Sequence, residues 1–305
     1  MTVSGAELHR PSLWRLQKWT PKRTAGLILF SFSLFYLIVP IVLHTAFYQK
    51  VILMPFPASE NEYNQADRTT GKKHEDCFFT NANHDKLHAF LWRVPGAKKI
   101  VIYHHGNAGN IANRGPAAAA ILAIGASVFA YDYRGYGKST GEATLEGLLD
   151  DGTAAYDYVR NELKYAPDDI VNYGESIGAG VACNAASKRP TGGLILQSGI
   201  PSLPIVGRDH FAFLRPYPDF FFPSPRMDNV ALVHGIHCPI VVINGAKDTT
   251  VTVEMAHLIY NNANEPKQLF ILKDSGHNSI LSGDDLRVYI KAVRTVIGGT
   301  TSGAT

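Results

Sequence analysis

The chain has 305 residues, 46% of them hydrophobic, and a formal net charge of +3 at pH 7. This length suits one large globular domain with a sizeable core. The charge is too small to indicate nucleic acid as a partner, and the three cysteines (Cys77, Cys183 and Cys238) form neither a disulfide framework nor a zinc-ligand spacing. The sequence therefore predicts no metal site and no nucleic-acid partner.

A basic tail, residues 1–24, opens the chain with five Lys or Arg against the single acid Glu7. Residues 25–48 then lack any charged side chain, and as a helix they would measure about 36 Å, enough to cross a hydrocarbon core of about 30 Å. A buried core helix seldom runs this long without a polar face, and a cleaved signal peptide has a shorter apolar run. We therefore predict a single-pass signal anchor with a cytosolic N-terminus and a luminal or extracytoplasmic main domain.

The remaining chain predicts a linker over residues 49–75, a folded domain over 76–298 and a flexible tail over 299–305. The domain begins with a hairpin that turns at Asn81 to Asp85. After the hairpin, short apolar runs alternate with helical patterns. The strand candidates after the hairpin are "KKIVIYHHG", "SVFAYDYRG", "DDIVNYGES", "GGLILQSG", "CPIVVINGAKD" and "KQLFILKDSGH".

This alternation predicts an α/β fold with a mostly parallel, doubly wound sheet and helices on both faces. In such a sheet a ligand site lies beyond the carboxyl ends of the strands. The site residues are therefore expected directly after the strand candidates.

The stretch "YGESIGAG", residues 173–180, follows one of these strands and precedes a helix. Gly and Ser are ordinary turn residues, so a simple turn is one interpretation. The other is a nucleophile elbow, in which Ser176 stands on a tight strand-to-helix turn that leaves no room for side chains at Gly174 and Gly178. The strand before it and the helix after it favour the elbow.

A serine nucleophile needs a base, and in this arrangement the acid and the histidine follow the serine in the chain. Asp248 stands just past one strand candidate, and His277 lies in the loop after the last strand. Asp274 is a competing acid, but its place on the approach to the same loop favours a turn. We therefore predict Ser176 as nucleophile, His277 as base and Asp248 as acid.

Acyl transfer also needs N–H donors for the developing oxyanion. The amide of Ile177, directly after the nucleophile, is the first candidate. The loop "HHGNAGN" supplies the second, where Gly106 permits a close approach and the Asn107 amide is the donor. The two histidines of that loop, His104 and His105, are predicted to brace it.

A cap-like insertion of about residues 199–237 separates two of the strands, and it is rich in aromatic residues and prolines. The rings either pack the insertion onto the sheet or line an acyl-chain channel over Ser176. Under the second interpretation Phe221 and Phe222 are substrate-binding residues.

The motifs "HHGNAGNIANRG", "YDYRGYGKSTGEATLEGLLDD", "YGESIGAG", "NGAKD" and "GHN" together resemble those of membrane-anchored α/β-hydrolase-domain serine hydrolases related to the yeast bud-emergence protein. The resemblance covers about residues 77–297 and implies an α/β-hydrolase fold, a triad of Ser176, Asp248 and His277, and no cofactor. The group's substrates are poorly defined, so the resemblance implies a reaction type rather than a substrate.

These patterns together predict a membrane-anchored serine hydrolase that cleaves ester or thioester bonds of acyl lipids, such as monoacylglycerols or lysophospholipids, or of acylated proteins. A serine peptidase on the same fold is the alternative among enzymes. A catalytically silent, tethered binding module is the alternative outside them, although a pure binder has no need of nucleophile, acid, base and oxyanion loop together.

Overall fold

The computed structural model describes residues 21–279 and 283–298. The contacts divide the chain into two units, one that ends at Val42 and one that begins at Leu43. Most of the predicted basic tail and the whole predicted C-terminal tail lie outside the described residues.

The described residues of the first unit belong to helix α1, Pro21–Leu43, in which no side chain is buried. It is the one helix among the described residues that is long and apolar enough to cross a membrane. The predicted span of 25–48 is too long at its C-terminal end, because Thr45 is extended (φ −88°, ψ 161°) and a second helix starts at Ala46. Tyr48, at the predicted end of the span, packs against the core of the second unit.

An eight-stranded sheet organises the second unit, in the order β10-β9-β8-β7-β4-β6-β3-β2. Its strands are β2 (Glu75–Thr80), β3 (Lys86–Trp92), β4 (Ile100–His104), β6 (Ser127–Tyr131), β7 (Ile170–Glu175), β8 (Gly193–Gln197), β9 (Ile240–Gly245) and β10 (Lys267–Leu272). All pairings are parallel except those that β3 makes with β2 and β6. Strands β1 (Met54–Pro55) and β5 (Ala108–Gly109) form a separate parallel pair.

Helices cover both faces of this sheet, as the nearly continuous apolar strands predict. The helices are α2 (Ala46–Ile52), α3 (Glu60–Thr70), α4 (Gly115–Ile124), α5 (Leu145–Asn161), α6 (Gly178–Lys188), α7 (Leu203–His210), α8 (Asn229–Val233), α9 (Val253–Asn262) and α10 (Asp285–Ile297). One core joins α3, α4 and α10 to one face. Two further cores join α5, α6, α8 and α9 to the other face. The predicted doubly wound architecture is confirmed.

Residues 49–75, predicted as a polar linker, instead form packed structure. Helix α3 starts at a capping box in which Ser59 and Glu62 bond to each other's backbone. Tyr63 and Ala66 on this helix are almost fully buried, as is Leu53 before it. Tyr63 and Ala66 dock α3, whose other side chains are mostly polar, and that polar composition hid the packing of this helix.

The predicted insertion is more regular than its prolines suggest. It contains α7, α8 and two short 3₁₀ turns, Ala212–Leu214 and Asp219–Phe221. It begins beside the elbow, where the Ile200 N–H donates to the Ser176 carbonyl at 3.4 Å.

Candidate active site

Ser176 stands between the end of β7 and the start of α6, with φ at +55°. A positive φ is uncommon for a residue with a side chain, and it persists only where the surroundings hold it. Here the Ser176 N–H donates to the carbonyl of Gln197 at 2.9 Å, and its own carbonyl accepts from Ala179 at 3.1 Å. This strained turn is the backbone shape of a nucleophile elbow.

The two glycines around Ser176 are required by the space they occupy. A Cβ at Gly174 would lie 2.5 Å from the Cα of Ala179, and a Cβ at Gly178 would lie 2.6 Å from the carbonyl oxygen of His105. Real Cβ atoms do not approach backbone this closely. The glycine spacing therefore reflects the close packing of α6 against β7 at Gly174 and against the end of β4 at Gly178.

His277 lies between Ser176 and Asp248. Its Nε2 is 3.1 Å from the Ser176 Oγ, and its Nδ1 is 2.8 Å from Asp248 Oδ2. An ionised carboxylate can only accept, so Nδ1 carries the proton and Nε2 is left to accept from the serine hydroxyl. The structure brings the three predicted residues together in the geometry of a proton-abstracting triad.

Asp248 is held in its charged form. Burial raises its pKa, but the hydrogen bonds from His277 and from the backbone N–H groups of Val251 and Thr250 lower it by a larger amount. The pKa of Asp248 therefore lies below its ordinary value. Both backbone bonds reach Oδ1 at 2.8 Å. The charge and the orientation of the carboxylate are therefore fixed before any substrate binds.

Asp274, the competing acid, faces elsewhere. Its Oδ1 accepts from Lys247 Nζ at 2.9 Å, and both side chains are exposed. Asp248 rather than Asp274 is the carboxylate that holds His277.

The predicted oxyanion loop lies beside Ser176. A Cβ at Gly106 would be 3.6 Å from the Ser176 Cβ. The side chain of Asn107 donates to the Ile52 carbonyl at 3.0 Å, and the main-chain carbonyl of Asn107 accepts from the Tyr136 hydroxyl at 2.9 Å. These bonds fix the side chain and the main-chain carbonyl of Asn107, which follows Gly106, and Ile177 directly precedes α6.

His104 and His105 agree with the predicted bracing role. His104 bonds through Nδ1 to the Tyr131 hydroxyl at 2.8 Å and through Nε2 to Asn172 Oδ1 at 3.0 Å. His105 Nδ1 donates to the Gly106 carbonyl at 2.7 Å. Burial lowers the pKa of His104 to about 4 and that of His105 to about 3, so both rings are neutral at pH 7.

An ion pair beside the nucleophile escapes sequence analysis. Glu175, the residue before Ser176, lies 3.3 Å from the Arg114 guanidinium and accepts from the Tyr103 hydroxyl at 2.7 Å. Arg114 also donates to the Ala108 carbonyl at 2.6 Å, so it ties the oxyanion loop to the strand end that carries the serine. The position of Glu175 next to Ser176 was the only available signal, and nothing in the spacing identifies Arg114 as its partner.

Phe221 and Phe222, the predicted substrate-binding residues, both contact other side chains of the insertion. Phe222 is 2% exposed, with the Arg208 guanidinium 4.9 Å from its ring centroid. Phe221 is half-buried and meets Tyr217 edge-on at 5.9 Å and Phe220 at 4.4 Å. The structure groups these rings with one another, whereas it groups Ser176 with His277 and Asp248.

No group of three or more His, Cys, Asp or Glu within residues 21–279 and 283–298 is arranged to hold a metal ion.

The sheet, the elbow and the His277 geometry together define an α/β hydrolase fold. A model of the family described as "Serine aminopeptidase, S33" matches residues 95–224. Esterase Pf2001 of Pyrococcus furiosus superposes with a TM-score of 0.66 at 21% identity, over 81% of this chain and 99% of the esterase. At that identity the likeness shows the fold alone.

Sequence relatives give the family. The uncharacterized protein Rv2307c of Mycobacterium tuberculosis is 33% identical over 215 residues, which are 68% of this chain and 74% of that protein. The uncharacterized protein YfhR of Salmonella typhimurium is 28% identical over 257 residues, which are 77% of this chain and 86% of that protein. The chain belongs to the family of α/β hydrolases that includes Rv2307c.

Proposed function

We propose that the protein is a membrane-anchored serine hydrolase that cleaves ester or thioester bonds of acyl lipids or acylated proteins through an acyl-enzyme on Ser176. The placement of His277 between the Ser176 Oγ and Asp248 carries this proposal. The α/β-hydrolase fold agrees with this proposal, and helix α1 supports the anchor. Kinship with the group related to the yeast bud-emergence protein is part of the same proposal.

The first half-reaction forms the acyl-enzyme. The Ser176 Oγ attacks the carbonyl carbon while His277 Nε2 takes its proton, and the amides of Ile177 and Asn107 bind the oxyanion. The tetrahedral intermediate then expels the alcohol or thiol, which receives that proton from His277. Asp248 stabilises the imidazolium throughout.

The second half-reaction frees the acid. Water attacks the acyl carbon and gives a proton to His277 Nε2, which returns it to the Ser176 Oγ as that oxygen leaves. Each proton that His277 accepts is given back within the same half-reaction, and no cofactor enters the proposed cycle.

A fluorophosphonate probe tests the nucleophile, because it forms a phosphorus–oxygen bond to an activated serine with loss of fluoride. The full chain should be labelled, whereas Ser176→Ala and His277→Ala should not. Ser198→Ala is the control, since Ser198 also has a positive φ (+44°) but is fully buried and follows a different strand. Undiminished labelling of Ser176→Ala would contradict the proposal.

A serine peptidase is the second candidate, because the matching family model is described as a serine aminopeptidase. Para-nitrophenyl esters of increasing acyl length, measured beside aminoacyl and peptide amides, separate the two functions. We expect turnover of the esters and none of the amides above the level of Ser176→Ala. The opposite ranking would establish the peptidase.

The proposed anchor predicts a topology. Protease added to sealed vesicles should remove an N-terminal tag and leave the main domain intact, because the basic residues before α1 favour a cytosolic N-terminus. Release of the protein into the supernatant by alkaline carbonate would mean that α1 does not span the membrane.

The insertion is proposed as a cap whose rings contact the acyl chain. Phe221 is half-buried and is the better test, whereas Phe222 is enclosed under Arg208 and its loss should mainly destabilise the fold. Phe221→Ala should lower kcat/KM for long-chain esters far more than for acetate esters, since each buried methylene contributes about 0.8 kcal/mol. Equal losses for both chain lengths would show that the ring only packs the insertion.

A further inference from the structure

Residues 46–56, here called the strap, comprise α2, Leu53, β1 and Phe56. The strap has two unlike sides. The inner side is built into the second unit: Tyr48 and Ile52 pack against its core, and Leu53 is almost fully buried. The Gln49 side chain accepts from the Leu145 N–H at 2.9 Å. The strap is therefore an integral part of the second unit.

The outer side is apolar and exposed. The exposed fractions are 63% for Phe47, 56% for Val51, 42% for Met54 and 54% for Phe56. No Asp or Glu occurs between Glu7 and Ser59, and Lys50 is the one charged residue of the strap. Exposed apolar side chains with a cation and without an anion are typical of segments that lie at a lipid surface.

The strap is hydrogen-bonded to the proposed oxyanion loop. The Met54 N–H donates to the Asn107 carbonyl at 3.1 Å, and the Asn107 side chain donates to the Ile52 carbonyl at 3.0 Å. Met54 also pairs with Ala108 in the β1–β5 ladder. Backbone that carries the exposed apolar side chains thus holds the residue whose amide is proposed to bind the oxyanion.

The short connection between α1 and Phe47 limits how far the outer side can lie from the membrane. Leu43 ends the helix that is able to span a membrane, and Phe47 follows four residues later. Four extended residues reach at most about 14 Å, and the headgroup layer itself occupies about 5–8 Å of that distance. If α1 spans the bilayer, Phe47 and the strap cannot lie far from its surface.

We propose that the outer side of the strap lies in the headgroup layer of the membrane that holds α1, and that it presents the oxyanion loop to substrates that reside in that membrane. This inference rests on the proposed serine hydrolase function and on the proposed anchor. It also narrows the substrate class to acyl esters whose acyl chain is still inserted in lipid when the ester bond is cleaved.

Depth-dependent quenching tests the position of the strap without requiring activity. The full chain, with Cys77→Ser and Cys238→Ser, carries an environment-sensitive fluorophore on Phe56→Cys or, as the control, on Val288→Cys of α10. Both positions are exposed apolar residues of the second unit. In phosphatidylcholine vesicles that contain spin-labelled lipid, the label at 56 should be quenched and the label at 288 should not. No quenching at 56, or equal quenching at both, overturns the proposal.

A kinetic comparison tests the consequence for substrate access. Phe47→Ser/Val51→Asn changes two outer side chains that make no hydrogen bond to the loop, and Phe78→Ser changes an exposed ring on the edge strand β2. In vesicles, the double variant should hydrolyse a long-chain ester embedded in the bilayer about tenfold more slowly than wild type, because its apolar contact with lipid is reduced. Its rate on soluble p-nitrophenyl acetate should stay within about twofold of wild type, and Phe78→Ser should match wild type on both.

The outcomes separate the inference from the function on which it rests. If the wild type hydrolyses neither ester, the proposed function fails, while the quenching result still decides whether the strap lies in lipid. If the double variant loses both activities equally, with an unchanged melting temperature, the strap serves only to hold the loop and the proposal of lipid-borne substrate is wrong.

Discussion

Two loops meet at Ser176, and both carry histidine. At the junction of β4 with the loop that follows it, His104 and His105 are fully buried, and burial lowers their pKa values to about 4 and about 3. In the loop after β10, the side chain of His277 is 18% exposed and its Nδ1 is held by a charged carboxylate. The partner and the exposure of the ring, rather than the residue type, separate a brace from a base.

The largest expected effect comes from His277, which bridges Ser176 and Asp248. His277→Ala should lower kcat/KM on a soluble ester by roughly 10⁴-fold, because the nucleophile then lacks its base. His104→Gln should act on stability instead, through the bonds to Tyr131 and Asn172. Steady-state rates corrected for the folded fraction separate the two. A loss in corrected kcat/KM for His104→Gln as large as that for His277→Ala would erase the distinction between the loops.

The next largest effect on kcat is expected at the Arg114–Glu175 ion pair beside the oxyanion loop. Arg114→Gln leaves the Glu175 carboxylate without its cation next to a site where negative charge develops, and we expect kcat to fall by roughly 100-fold. Glu175→Gln removes that negative charge and should retain activity, and the double variant should recover most of what Arg114→Gln loses.

A double-mutant cycle on kcat, with melting temperatures for all four proteins, measures this coupling. If Glu175→Gln is as damaging as Arg114→Gln and the double variant is worse than either, the pair only supports the fold.

The buried histidines should also make stability depend on pH. Unfolded histidine has a pKa of about 6.5, so between pH 6.5 and 4 the unfolded chain takes up a proton at His104 that the folded chain does not. The contribution of His104 to the free energy of unfolding is fully present above pH 6.5 and declines by roughly 3 kcal/mol as the pH falls to 4. The lowered pKa of Asp248 acts only below this window.

Urea unfolding at several pH values measures the slope, and His104→Gln should make it shallower. An unchanged slope in that variant would mean that His104 does not have the lowered pKa that its burial implies.

The smallest effect is expected at Asp274. Its pair with Lys247 is exposed, and such pairs contribute about 0–1 kcal/mol. Asp274→Asn should therefore stay within about twofold of wild type in kcat/KM, whereas Asp248→Asn should lose roughly 10⁴-fold because the His277 tautomer is no longer fixed. Comparable losses in the two variants would reopen the assignment of the acid.

The sequence was sufficient to place Ser176, Asp248 and His277 because the carboxyl ends of parallel strands share one edge of a sheet. A residue that follows such a strand is therefore near the others, however far away it is in the chain. The predicted fold is confirmed for the same reason, since apolar strands alternating with helices have few ways to be covered on both faces.

Contacts between distant segments could not be predicted in this way. The Arg114–Glu175 pair depends on where the 3₁₀ turn Ile111–Arg114 lies relative to the end of β7. The docking of residues 49–75 depends on the burial of Tyr63 and Leu53 in the core. The end of the span at Leu43 was missed because apolar composition continues through α2, where it serves packing on one side. Composition records that residues are apolar and does not record which surface they meet.

The β1–β5 ladder also determines where the chain can be shortened. A soluble fragment that begins at residue 76 would lose Leu53 and Tyr63 from the core and the Met54 bond that holds Asn107, so it should express poorly or lack activity. A fragment that begins at residue 44 would keep those contacts but carry the apolar side of the strap into water. Purification of that fragment should therefore need a detergent or a polar substitution at Phe47 or Val51, neither of which touches the ladder.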